Sequence, residues 1–350
     1  MAPVVLLTGT PGGVLAAVSG ALASGGWEPR HVPLAPDGSG DPPVERAQAV
    51  VHLGVRTPRD LDEEARARVE TGAALGAAAL AARTSARRLV HVSTAAVYGQ
   101  PRNLPCREGE LKEPRTAYER IRWRAERASW SAFRRGAPLT VLRPTLLYGP
   151  ELRGGPVRTL ALVALFNQRK RRVPILRRGP VAHLVHVEDL ARAVVHVLSR
   201  PDDREVVGRA FNVGDEAPLP LAEHLASALS ALGYQPGRVL PAWPRLYALL
   251  LWLLRNVPDR ALLDRLNRRL HRGWRRLHAA GGGREGLWPR VEREALHWMS
   301  ADHYYDVSRL QSLGWRAAHP VSTEALPGVV RSLVSRGLLP EQAARGPRAW

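Results

Sequence analysis

Val4-Val5-Leu6-Leu7-Thr8-Gly9-Thr10-Pro11-Gly12-Gly13-Val14-Leu15 is the stretch on which the reading of this chain turns. Four apolar residues run straight into a glycine-rich turn, and an Ala-rich helical stretch, Ala16 to Ser24, follows. A strand, a glycine loop and a helix in that order let the backbone pass close to a pyrophosphate and offer free N–H groups to its negative charge. Gly9, Thr10, Gly12, Gly13 and Val14 are the candidate phosphate-binding residues. A GxxGxxG spacing counted from Gly9 wants a third glycine at position 15, which is Leu15. The helix is therefore expected to stand further from the sheet.

The same alternation continues outward. Ala49 to Leu53 precedes a helical pattern from Asp60 to Arg83, Leu89 to Val92 precedes Tyr118 to Arg134, and Leu139 to Leu142 precedes Thr159 to Gln168. Strand followed by helix, repeated, means parallel strands with crossovers, hence an α/β doubly wound sheet whose ligands sit at the carboxyl ends of the strands. After Gly149 the pattern loosens, with Gly and Pro punctuation at Gly154-Gly155-Pro156, Gly179-Pro180 and Gly214 to Pro220. Residues 1–150 are read as the nucleotide-binding domain. Residues 151–340 are read mainly as a smaller C-terminal α/β substrate lobe, with segments returning to the core, and the polar tail from Glu341 as a frayed end.

Composition narrows the function classes. The 350 residues carry 51 basic and 32 acidic side chains, a net charge of +19, yet Lys112 and Lys170 are the only lysines. Such an arginine bias reads first as compositional drift, and charge by itself says nothing about fold. One cysteine, Cys106, excludes an internal disulfide framework, and twelve histidines scattered without ligand spacing set a metal aside. The start of the chain lacks a basic region and a signal-peptide core, and the longest apolar run, Leu246 to Leu254, falls short of the roughly 20 residues of a spanning helix. A cytoplasmic protein is expected.

Two further segments carry chemistry. Leu89-Val90-His91-Val92-Ser93-Thr94-Ala95-Ala96-Val97-Tyr98-Gly99 is a strand ending in hydroxyls, and Thr116-Ala117-Tyr118-Glu119-Arg120-Ile121-Arg122 opens a helix. With the glycine loop they resemble the extended short-chain dehydrogenase/reductase superfamily, which includes the NAD-dependent epimerases and dehydratases. Further matches follow in order: Leu142-Arg143-Pro144-Thr145, Tyr148-Gly149-Pro150, Val185 to Ala191, Phe211 to Gly214 and Asp306 to Trp315. The resemblance spans Val4 to about Leu326.

It implies a Rossmann-like fold, NAD or NADP as cofactor, a small-molecule substrate and a homodimer built on the helices Asp60 to Arg83 and Tyr118 to Arg134. It makes Tyr118 the general acid/base and Thr94 the hydroxyl that orients the substrate oxygen, with Leu53, Pro144 and Thr145 lining the cofactor. The physical reason is plain, because a phenol near pKa 10 exchanges protons at neutral pH only beside a fixed cation. Helical spacing puts residue 122 on the face of Tyr118. The family has lysine there; this chain has Arg122, which keeps the charge on a larger, planar group.

The adenosine anchor also departs from the pattern. An acid about 20 residues past the glycines would bind the ribose, but Pro33 and Leu34 occupy that place and Asp37 comes late. Pro29, Pro33 and Pro36 make the second strand an edge strand at best. A helix and a strand of the family pattern are therefore expected to be shortened or absent, and NAD against NADP stays open.

On the substrate side, Ala95-Ala96 stands where a sugar-nucleotide 4,6-dehydratase would carry an acid pair, which removes that reaction. Leu263, Leu266, Leu270, Trp274 and Leu277 form an apolar stripe, and eight arginines face two aspartates between Arg255 and Arg276. Residues 246–280 suit either a solvated surface helix or peripheral contact with an anionic membrane. The layout resembles the 3β-hydroxysteroid dehydrogenase branch. Nucleic acid is set aside, since the arginines lack interleaved aromatics. Three functions remain: oxidoreduction of a secondary alcohol or ketone, epimerisation of a nucleotide sugar, and a degenerate fold used for binding alone.

Overall fold

The computed structural model describes residues 2–41, 45–58, 61–167, 172–176, 179–240, 249, 252, 260–281, 286–292 and 298–340. The tail from Glu341, most of the Leu246 to Leu254 run, and Arg255, Asp259 and Lys170 lie outside them. The chain divides into two compact units, the first made of Met1–Thr145, Val185–Gly214 and Tyr304–Ala318, the second of Leu146–Leu184, Asp215–His303 and His319–Trp350.

The first unit runs β1 (Val4–Thr8), α1 (Gly13–Ser24), β2 (Glu28–Val32), β3 (Ala49–His52), α2 (Glu63–Arg83), β4 (Arg88–Val92), α3 (Ala117–Phe133), β5 (Leu139–Pro144), α4 (Val187–Leu198) and β6 (Arg209–Val213). The six strands form one sheet in the order β2-β1-β3-β4-β5-β6, every pair parallel. Strands β3, β4 and β5 are buried at every residue. Such strands need a helix layer on each face. Right-handed crossovers supply both, because β1 to β2 and β3 to β4 step in opposite directions. Helix α1 packs with α4, and α2 packs with α3. The step direction reverses between β1 and β3, so the loops after Thr8 and His52 leave the sheet at its switch point.

Strand β2 pairs with β1 alone and is the edge, as Pro29 requires. Among the described residues no helix or strand separates it from β3. A doubly wound sheet with an outer strand beyond β2 would be one strand wider. The stretch at Thr159 to Gln168 is observed as a helix over Pro156–Phe166 in the second unit, so it is not the crossover from β5; α4 leads into β6.

In the second unit the helices Pro156–Phe166, Leu221–Ala231, Arg260–Gly281 and Ser322–Ser335 share one apolar core. Leu270, Trp274 and Leu277 are buried in it, whereas Leu266 remains 36% exposed. Arg265, Arg268, Arg269, Arg272, Arg275 and Arg276 face solvent. Most of the apolar stripe on Arg260–Gly281 is therefore engaged in packing. No helix among the described residues is long and apolar enough to cross a membrane.

Candidate functional site

The glycine loop lies wholly in the first unit. Gly9 has φ +137°, and a Cβ there would meet the carbonyl oxygen of Gly54 at 2.6 Å. Only glycine fits. The Thr10 N–H donates to that Gly54 oxygen at 3.1 Å, and the Arg56 N–H donates to Thr10 Oγ1 at 2.6 Å, so the loop after β3 braces the loop after β1. Gly12 is the N-cap of α1 and supplies no side-chain cap, and the first turn holds no acidic residue. Helix α2 by contrast is capped by Asp62, α3 by a reciprocal Thr116–Glu119 box, and α4 by His186. The first N–H groups of α1, around Gly13 and Val14, are left for an external acceptor.

Thr94 and Tyr118 sit at the start of helical turns in the same unit. Thr94 caps the 3-10 turn Ala95–Tyr98, its Oγ1 accepting from the Ala96 N–H at 3.2 Å. Its own hydroxyl hydrogen is still available to an incoming oxygen. Tyr118, in the first turn of α3, is 37% exposed.

Arg122, one turn further, points inward. Its Nη1 pairs with Glu70 of α2 at 3.0 Å, and its Nη2 donates to the Val92 oxygen at 2.9 Å and the Ser93 oxygen at 3.3 Å. A Cβ on Gly54 would come within 2.2 Å of Nη1. Burial works against the charge of Arg122, yet Glu70 first and then Tyr118 hold its pKa above the ordinary value. The guanidinium is thus a fixed, buried positive charge clamped between β4 and α2.

Beyond it lies a second buried pair. Glu126 binds Arg143 at 2.6 Å and accepts from Ser93 Oγ and Trp130 Nε1; Arg143 in turn donates to Tyr98 Oη at 2.7 Å, and Tyr98 donates to Asn212. Burial opposes the ionised forms, but each partner favours the charge of the other, so Glu126 is shifted down and Arg143 up. These groups tie α3 to β4, β5 and β6. Pro144 and Thr145 end β5, and Thr145 Oγ1 is buried with no partner among the described residues. Leu53 is half-buried after β3, its N–H donating to Thr8 at 2.8 Å.

The adenosine side lacks an acid in the expected place. Asp37 binds the Ser39 N–H and hydroxyl at 2.8 and 2.7 Å and closes its own turn. His31, near the end of β2, donates from Nε2 to the Gly9 oxygen at 2.9 Å. The unpartnered α1 start, the close-packed Gly9 and the orphaned Thr145 hydroxyl fit the phosphates and one polar edge of a dinucleotide. Arg122 does not fit a role in holding its ribose, because its terminal nitrogens are engaged. Sequence spacing brought out Thr94, Tyr118 and the loop, but missed Glu70, Glu126 and His31, which act through contacts remote in sequence.

Residues 42–214 match the NAD dependent epimerase/dehydratase family. This segment belongs to that family. The matched epimerase/dehydratase segment takes in β3 to β6 with Thr94, Tyr118 and Arg122, and begins after the glycine loop. Among solved structures, RMD from Pseudomonas aeruginosa, determined with NADPH, is 18% identical over 95% of this chain and 99% of that one, with TM-score 0.63. UDP-glucose 4-epimerase from Thermotoga maritima, determined with UDP-glucose, is 15% identical over 95% and 99%, with TM-score 0.62. The terminal R domain of the myxalamid PKS-NRPS pathway is 22% identical over 97% and 92%, with TM-score 0.65. At these identities the likeness is one of fold. No curated protein matches the sequence.

Proposed function

We propose that the chain is an NAD(P)-dependent oxidoreductase acting on a secondary alcohol or ketone, with Tyr118 as its acid/base. The observation that carries this reading is the exposed Tyr118 phenol one helical turn from a buried, fixed guanidinium. Acting as base, Tyr118 takes the hydroxyl proton of an alcohol, and in the reverse direction it returns that proton to a ketone oxygen. Thr94 donates its hydroxyl hydrogen to the same substrate oxygen. Arg122 is a positioning residue, since it acts through Tyr118. The first turn of α1 with Gly9, Thr10, Gly12 and Gly13 would hold the pyrophosphate, while Leu53, Pro144 and Thr145 would line the nicotinamide half. When bound, that cofactor supplies or accepts the hydride.

Epimerisation of a nucleotide sugar is the second reading, favoured by the family to which residues 42–214 belong. It uses the same proton at Tyr118 Oη in both directions. Association as a homodimer through the outer faces of α2 and α3, and electrostatic contact of the arginine face of Arg260–Gly281 with an anionic membrane, are part of the proposal.

Titration with NAD(H) and NADP(H) tests it. Binding of either, with turnover of a ketone lost in Tyr118→Phe while binding persists, is the expected result. Absence of binding at millimolar cofactor overturns it in favour of a non-catalytic fold used for binding.

A further inference from the structure

Strand β6 is the second edge of the sheet, and its outward rungs are treated unequally. In a parallel pair, alternate residues turn both backbone groups to the neighbour. The Val213 oxygen accepts from the Thr145 N–H, so the odd residues of β6 face β5 and Ala210 and Asn212 face out. The Asn212 N–H is satisfied by the protein's own carboxylate, Glu108 Oε1, at 3.0 Å. The Ala210 N–H has no acceptor among the described residues, although Ala210 is 7% exposed. At the edge of the sheet such a donor is left for an acceptor from outside.

It opens on a cleft of about 520 Å³ in the first unit. Arg309 lines this cleft, its Nη1 donating to the Ala210 oxygen at 3.3 Å and its Nε 3.5 Å from Glu108. Arg209 lies beside it with no ion pair among the described residues. Lys112 also lines it, two of its three N–H bonds going to the backbone oxygens of Glu108 and Glu110. Trp123 and Trp130 of α3 add flat apolar surface. None of the glycine loop, Thr94 or Tyr118 is among the lining residues.

We infer that this cleft binds a small aromatic carboxylate, its oxygens on the Ala210 N–H and the Arg309 guanidinium and its ring against Trp123 and Trp130. Glu108 on the Asn212 N–H shows the same interaction one rung along, made by the protein with itself. A guanidinium and an N–H side by side recognise two oxygens of one planar anion. A paired β-strand is excluded, since the Asn212 N–H is taken by Glu108 and the Gly208 N–H by Leu139. The inference does not depend on the proposed oxidoreductase activity.

The test is calorimetric titration of the full chain with 2-naphthoate, repeated with 2-naphthylmethanol, which has the ring without the charge. Saturable binding of naphthoate is expected, weaker by at least tenfold for the alcohol and for Arg309→Met and Trp123→Ala. Ala210→Pro deletes the outward N–H at a sheet edge, where proline is tolerated, and gives the same contrast should Arg309→Met fail to fold. Absence of saturable binding, equal affinity for the alcohol, or affinity unchanged by Ala210→Pro would overturn the inference. So would displacement of naphthoate by NAD(H), which would place it in the dinucleotide site.

Discussion

The starts of α1 and α3 follow strands β1 and β4 at the same end of one sheet, yet they treat their polar groups in opposite ways. At α1 the cap is a glycine, the first turn has no acid, and the leading N–H groups are left open. At α3 a Thr116–Glu119 box closes the N–H groups, and Arg122 is locked to Glu70 and two strand carbonyls. The first start leaves its donors to an acceptor from outside. The second turns the Tyr118 phenol outward. Charge at these two places therefore does different work, although both lie in motifs that a sequence reader would assign to one cofactor.

The largest effect should come from breaking the second start. Arg122→Met or Glu70→Met alone leaves one buried charge without its partner and should cost about 3–5 kcal/mol in urea unfolding, whereas the double replacement should recover most of it. Single variants that cost almost nothing would show that Arg122 is free to serve a ligand after all.

The buried floor between β3 and β4 gives a smaller effect that depends on pH. His52 and His91 sit opposite each other in register with ring centroids 5.2 Å apart, and the Nε2 of each has no partner among the described residues. Burial first, with Arg122 and Arg143 adding to it, pushes His91 down to about 3; burial, His91 and Arg122 push His52 well below its usual range. The unfolded chain therefore binds protons that the folded chain refuses. Stability is fully present above the ordinary histidine range near 6.5 and falls as pH drops below it, by up to about 2 kcal/mol for His91 between pH 6.5 and 5, with His52 acting in the same direction. Unfolding midpoints across that window should show the slope, and His91→Gln should flatten it.

Gly12→Asp probes the first start. Gly12 has extended backbone geometry, and a Cβ there would find no atom closer than 4.0 Å, so the substitution fits. Aspartate would cap α1 and change stability by only a few tenths of a kcal/mol, while its carboxylate occupies the donors proposed for phosphate. Affinity for NAD(H) should fall at least tenfold, about 1.4 kcal/mol. Unchanged affinity would move the pyrophosphate elsewhere.

The smallest effect on the fold is expected on the exposed arginine face of Arg260–Gly281. Arg268→Glu with Arg272→Glu should leave the unfolding midpoint unaltered and lower co-sedimentation with anionic vesicles. Vesicle binding that ignores the reversal would remove the membrane contact.

Much of this was legible in the residues because it is periodic or local. Apolar runs that alternate with helical stretches gave the parallel sheet, Pro29 marked β2 as an edge, and the stripe through Leu270, Trp274 and Leu277 marked a helix face. That stripe could not say whether it met lipid or protein; Leu229 and Val330, which share its core, lie far away in sequence. The role of Arg122 was hidden for the same reason. Its partner Glu70 belongs to another helix, and no spacing rule links the two. His31 escaped notice because an anchor was sought as an acid, whereas this strand end turns an imidazole back onto the Gly9 carbonyl.

The narrowed sheet has one more consequence, at the edge that β2 exposes. An uncovered strand invites another chain to add itself to the ladder, and proteins discourage this with prolines and charges. Pro29 lacks the hydrogen such an addition would need, and Glu28 and Arg30 form an ion pair along the same strand. The residues that weaken β2 as a strand also make it a poor template for aggregation, so the sheet can end there without a cover.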